Sequence, residues 1–279
     1  MPRSLRIALL LLPSALLMGV FLVGLFRLIG SSLTIDGHFD LSIYEAIFSR
    51  ADYVAMLGRT VRIAVMTTLF CLLLGFPTAC FVARYQGNRN VLLLLVIFPW
   101  LVSIVVRSYG WVVILGPRGL INGLLSWGGM TGRPLKLMYN DFGVILGLVH
   151  VLLPFMIIAI LSVLMQIPRN LEEASASLGG RPAFSFRTVL LPLSLPGVLT
   201  GVTLVYLMST GAIVTPLLLG GLGDTMLGTE IFQEVMHFFD YPKAAALATV
   251  LLVTALAVVL PIQMIERWLS RRLSGGSAP

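Results

Sequence analysis

The chain has 279 residues, of which 58% are hydrophobic and only 11% charged, with a mean hydropathy of +0.98. A water-soluble domain is about 45–50% apolar and about 25% charged, so a soluble enzyme or binding module is excluded for the whole chain. The net charge of +7 comes from basic residues that are scattered rather than striped with aromatics, which excludes a nucleic-acid surface and leaves lipid as the solvent.

The first apolar stretch, Ile7 to Phe26, follows Arg3 and Arg6. It is longer than the roughly 7–15 residues of a signal-peptide core, and no small-x-small site follows it, so a retained span at about 7–29 is expected. A membrane helix needs about 20 apolar residues, because every backbone polar group must be satisfied within the segment. On that criterion further spans are predicted at 60–83, 91–115, 142–165, 193–218 and 243–265, which makes the chain an all-α membrane protein with six transmembrane helices. Between the first two, Tyr44, Ile47, Phe48, Tyr53 and Leu57 lie among charges, as in an amphipathic helix near the outer surface. Cys71 and Cys80 fall on one predicted helix, about 13 Å apart along its axis, which is too far for a disulfide. The connection from Gly116 to Asn140 is rich in glycine and proline, and the tail from Ser274 to Pro279 is expected to fray.

Arginines and lysines orient the spans. One side carries Arg3, Arg6, Arg84, Arg89, Arg169, Arg181, Arg187 and three arginines near the C-terminus, and it includes the shortest connection, Tyr85 to Asn90. Most acids lie on the other side, so both termini are expected in the cytoplasm. Arg62 and Arg107 lie near span ends, where snorkelling is expected. Gly143/Gly147 and Gly197/Gly201 have the small-x-x-x-small spacing that allows close helix approach.

The longest cytoplasmic connection, Gln166 to Pro192, is the most informative. Asn170 is placed to cap a helix whose first turn carries Glu172 and Glu173, as the helix dipole favours. Small residues follow, then Gly179 as a C-cap, then a second short helix opened by Pro182. On the residues alone this is a compact knob, and a structured linker is an equal reading.

Glu173-Ala174-Ser175, three residues, Gly179, nine residues, then Val189-Leu190-Leu191-Pro192 resembles the cytoplasmic EAA loop of binding-protein-dependent ABC importer permeases. Ser175 in place of the third alanine is the one departure. Arg107-Ser108-Tyr109-Gly110-Trp111, Gly119-Leu120-Ile121-Asn122, Leu153-Pro154-Phe155 and Leu219-Gly220-Gly221 are similar to the spermidine/putrescine-type permeases, and the likeness runs from about Tyr44 to Glu266. Permeases for iron(III), thiamine and phosphonates share much of it. The resemblance implies a type I ABC importer permease fold in a single transmembrane domain, with its core at about 60–265. The 166–192 loop would then supply a coupling helix for a cytoplasmic ATPase. The coupling residues implied are Glu172, Glu173, Ala174, Ser175, Gly179 and Pro192. The implied partners are an ABC ATPase dimer that binds ATP and Mg, a second homologous permease or another copy of this chain, and a periplasmic or extracellular substrate-binding protein. The implied location is the bacterial inner membrane, and the implied substrate a polyamine or related cationic solute.

No catalytic residue and no cofactor is predicted in the chain itself. The only lysines, Lys136 and Lys243, do not follow glycine, so there is no P-loop; the three histidines form no zinc motif. An ion-driven secondary transporter is the competing class, but it needs acids within its spans, and the predicted interiors hold none. Candidate pathway residues are Arg107, Tyr109, Trp111, His150, Tyr206, Glu230 and Glu234. His150 is a pathway candidate for which a structural hydrogen bond is the simpler expectation. Glu230, Glu234 and His237 fall at i, i+4 and i+7, so one helix face would carry all three. That face is open to three readings: a metal or cation site at an outer gate, a solvated surface, or a contact with the binding protein.

Overall fold

The computed structural model describes residues 3–35, 38–177, 179–221, 223 and 225–274; the expected fraying beyond residue 274 lies outside them. Helix α1 (Arg3–Ser32) leads through a hairpin of two short antiparallel strands, β1 (Thr34–Ile35) and β2 (His38–Phe39), to α2 (Ser42–Ser49). Helix α3 (Ala51–Arg84) follows, then α4 (Arg89–Leu101), α5 (Ile104–Leu115), α6 (Leu120–Trp127) and α7 (Asp141–Leu164). The next connection folds as α8 (Asn170–Ser177), α9 (Pro182–Ser185) and a π-helical turn (Phe186–Leu190) that runs directly into α10 (Leu191–Thr210). The chain ends with α11 (Val214–Leu219), α12 (Leu227–Gln233), a second π turn (Glu234–Phe238) and α13 (Tyr241–Ser274). Six segments among the described residues are long and apolar enough to cross a membrane.

Two predicted spans are broken. The 91–115 segment is two helices, because Val102 and Ser103 take extended backbone just beyond Pro99. Proline offers no N–H and excludes a helical carbonyl, which weakens the last turn of α4. Its 13 residues extend about 20 Å, short of a bilayer core. The crossing candidate here is instead Ile104–Trp127. The 193–218 segment stops at Gly211 after Ser209 and Thr210, all weak helix formers, and resumes as α11. The amphipathic helix expected between the first two spans is α2, whose Ile47 packs with Tyr53, Ala246 and Leu247.

The core is the junction of α3, α7 and α10. Along α7, Val144, Leu148, Leu152, Met156, Ile160 and Leu164 are buried at i, i+4 spacing. Lipid gives helices no hydrophobic reason to associate, so close backbone approach has to supply the attraction. Glycine provides it here: a Cβ at Gly75 would lie 2.9 Å from Met156 Cγ, and one at Gly201 2.7 Å from Met156 Sδ. Helix α1 rests on α13 at the periphery and exposes Leu16, Leu17, Phe21 and Phe26, the surface a lipid-facing helix presents. Cys71 and Cys80 are both free.

Candidate functional site

The loop after α7 is built as the residues predict, with one shift. Helix α8 begins at Asn170 itself, and the Arg169 carbonyl accepts from the Glu173 N–H, so Arg169 holds the capping place expected of Asn170. Gly179 has φ +82°, a left-handed conformation that suits glycine, and the chain turns there between α8 and α9. The two glutamates part company. Glu172 forms an ion pair with Arg84 at the end of α3, while Glu173 is exposed. Arg84 also reaches the Ile167 carbonyl, and Arg169 donates to the Arg84 carbonyl at 3.1 Å. The loop is thereby braced to the helix it neighbours, with Glu173 and Ala174 facing out.

Ser175, the departure from the expected alanine, has a local reason. Its hydroxyl lies 2.7 Å from that of Ser185 and ties α8 to α9. Gly180, which sequence reasoning did not single out, is needed for the same closure: its N–H donates to the Ser175 carbonyl, and a Cβ there would fall 2.7 Å from that oxygen. Pro192 lies in the first turn of α10. With no N–H to give the Thr188 carbonyl four residues back, it accounts for the wide turn over Phe186–Leu190, where the Leu191 N–H instead reaches Phe186. Phe186 stacks edge-on against Phe76 of α3 at 5.8 Å, a second tie between loop and bundle.

At the opposite end of the bundle a cleft of about 680 Å³ opens beside α11 and α12, lined among others by Tyr139, Gly220, Gly221, Thr229, Glu230 and Gln233. Close packing shapes it. A Cβ at Gly147 would meet Leu219 Cδ1 at 2.5 Å, so α11 sits directly on α7. The Tyr139 N–H donates to the Leu219 carbonyl at 2.8 Å, and Tyr139 itself has φ +60°. Thr60 of α3 accepts from the Leu227 N–H, and Arg59 donates to the Gly223 carbonyl, pinning the loop before α12. Arg62 does not snorkel alone: it pairs with Asp141, the first residue of α7.

The predicted face holds for Glu230 and Glu234, where the Glu234 N–H donates to the Glu230 carbonyl as in a regular helix, but α12 gives way to a π turn at Glu234, which shifts the phase before His237. Glu234 is only 3% exposed and pairs with Lys243 of α13. Glu230 lines the cleft and forms no ion pair among the described residues; burial, and next the Glu234 charge, raise its pKa against the pull of Lys243 and Arg50. His237 lies against Phe232. Among the described residues no three ligand-type side chains group to hold a metal.

Trp111 donates its indole N–H to His150 Nδ1 at 3.0 Å, the structural bond expected for that histidine. Arg107 on the same helix has Nε and Nη1 buried without partners among the described residues, and Tyr109 is exposed. Tyr206 is buried in the core with Ala64 and Val259.

Residues 53–275 match the model of a family described as the binding-protein-dependent transport system inner membrane component. The chain belongs to that family. It is 31% identical over 267 residues to the spermidine/putrescine transport system permease protein PotB of Escherichia coli K12, covering 92% of this chain and 94% of the relative. The Haemophilus influenzae protein of the same name is 30% identical, with 93% of each chain covered. In fold, the permease is similar to a bacterial alginate ABC transporter solved in complex with an alginate pentasaccharide-bound periplasmic protein, with TM-score 0.77, 20% identity, and 97% of this chain and 96% of the other covered. It is therefore a permease subunit of a binding-protein-dependent ABC importer with the type I fold, a multi-pass inner-membrane protein.

Proposed function

We propose that this permease carries polyamines, with putrescine and spermidine as the first substrates to test, and that α8 is the coupling helix through which a separate ATPase drives it. The observation that carries the coupling half is the division of labour in the 166–192 loop: Arg84 and the Ser175–Ser185 contact brace it, while Glu173 and Ala174 stay exposed for a partner. A braced knob moves with its partner and transmits that movement to α7 and α10 on either side. The relatives named for spermidine and putrescine support the substrate half. On this reading the chain is one transmembrane domain, and ATP and Mg belong to the ATPase dimer. A binding protein delivers solute to the cleft side, a second permease or another copy completes the pathway, and both termini are cytoplasmic with the Arg84 end.

The test is ATPase rate in lipid vesicles holding the permease with its neighbouring ATPase and binding protein, measured against a panel led by putrescine and spermidine. Stimulation by a polyamine that is lost in Glu173→Arg supports both halves. Stimulation that survives Glu173→Arg sinks the coupling assignment, and stimulation only by a non-polyamine ligand sinks the substrate.

A further inference from the structure

The cleft beside α12 holds a buried hydroxyl and a carboxylate that no hydrogen bond or ion pair among the described residues accounts for. Thr229 is 2% exposed, yet its hydroxyl has no hydrogen-bond partner among the described residues. A buried hydroxyl left unsatisfied costs about 1–3 kcal/mol, so such a group points to something that binds it. Next to it, Glu230 is a half-buried carboxylate without an ion pair among the described residues, while its neighbour Glu234 is committed to Lys243. Thr225 and Gln233 add further acceptor oxygens to the lining, Tyr139 adds an aromatic ring, and among the described residues no lysine, arginine or histidine lines the cleft. Its volume, about 680 Å³, lies within the range of small-molecule sites.

We infer that this cleft is a binding site for a primary ammonium group, with Glu230 as the counter-charge and the Thr229 hydroxyl as an acceptor. An ammonium offers three donors and no acceptor, which matches one carboxylate flanked by hydroxyl and amide oxygens. A charge-assisted hydrogen bond to a partly desolvated carboxylate is the strong kind, whereas an anion would have to face the Glu230 charge at close range. Glu230 ionises less readily than a free carboxylate, chiefly because of burial, and an arriving cation would stabilise its charged form. The site lies at the end of the bundle away from α8, so it receives solute before the membrane passage. The inference rests on the polyamine reading for its ligand, but its chemistry is tested independently of transport.

The experiment is equilibrium dialysis of radiolabelled putrescine against the permease–ATPase complex in lipid nanodiscs, without the binding protein. Unlabelled putrescine and the neutral analogue 1,4-butanediol serve as competitors, and uptake by the full importer is recorded in parallel. Saturable binding that putrescine displaces and butanediol does not is expected. Glu230→Gln should weaken it about tenfold or more and Thr229→Val by several-fold, while Thr229→Ser stays near the parent value. Assembly with the ATPase on size exclusion verifies that each variant is folded. Binding that is absent, or indifferent to Glu230→Gln, overturns the site even if the importer takes up putrescine. Glu230-dependent binding with no putrescine uptake upholds the site and overturns the polyamine assignment instead.

Discussion

Arg84, in the last turn of α3, forms an ion pair with Glu172, in the first turn of α8. At the other end Arg62 of the same helix pairs with Asp141, the first residue of α7. The 22 residue steps from Arg62 to Arg84 correspond to about 33 Å of helix, close to the thickness of a hydrocarbon core. Helix α3 is thus tied to the start of α7 at one end and to α8, the segment proposed for coupling, at the other, each time by an arginine–carboxylate pair.

The Arg84–Glu172 pair should therefore matter more for coupling than for stability. Its side chains are 24% and 34% exposed, and a pair so open to solvent contributes about 1 kcal/mol or less. Arg84→Ala and Glu172→Gln are each expected to lower the unfolding temperature only slightly, yet to loosen α8 and reduce transport per ATP hydrolysed. The swap Arg84→Glu with Glu172→Arg should recover part of that ratio. Equal coupling in all three variants would show that the brace is dispensable.

Ser175→Ala restores the residue expected from the motif but removes the hydroxyl contact to Ser185. A loss of about 0.5–1.5 kcal/mol is expected, confined to the α8–α9 unit. Amide hydrogen exchange over 175–185 should quicken while α7 is unaffected. Gly180→Ala should do more damage, since its Cβ would meet the Ser175 backbone oxygen rather than a side chain that can turn aside. Equal exchange rates in the two variants would contradict this ordering.

Gly197 and Gly201 share one face of α10 but predict different tolerances. A Cβ at Gly197 would lie 2.9 Å from the Ala159 carbonyl oxygen, whereas at Gly201 the nearest atom is Met156 Sδ, part of a flexible side chain. Gly197→Ala is expected to cost about 1–3 kcal/mol by forcing α10 from α7, and Gly201→Ala much less. Thermal unfolding of the two variants in the same nanodisc decides it, and the reverse order would overturn the packing argument.

Lys243 holds the charge of a nearly enclosed carboxylate, Glu234. Lys243→Met should destabilise the α12–α13 junction by about 1–3 kcal/mol, the upper end of buried-pair losses being tempered because Lys243 itself is 29% exposed. The double variant Lys243→Met with Glu234→Gln should regain much of the loss, because no buried charge is then left alone. Additive losses in that cycle would mean that the two side chains do not act as a pair.

Six apolar stretches, the glycine elbow at Gly179 and the two acids opening α8 were legible in the sequence, because hydropathy, turn chemistry and helix-dipole preferences are local properties of the chain. The predicted 91–115 and 193–218 spans were misjudged for a related reason: hydropathy continues across Val102–Ser103 and Gly211 although the backbone does not. Which glutamate of the pair is free was not legible, since Arg84 lies 88 residues before Glu172 and meets it only when α3 packs on α7. The same holds for Glu230 and Glu234, which a regular helix would put on one face. The position of Lys243 distinguishes them, leaving one carboxylate sealed in a pair and the other lining the cleft with the unsatisfied Thr229 hydroxyl. Composition and spacing determined the solvent, the spans and the loop; partners distant in sequence decided which charges are neutralised and which remain available to a ligand or an ATPase, because pairing and desolvation depend on distance in space.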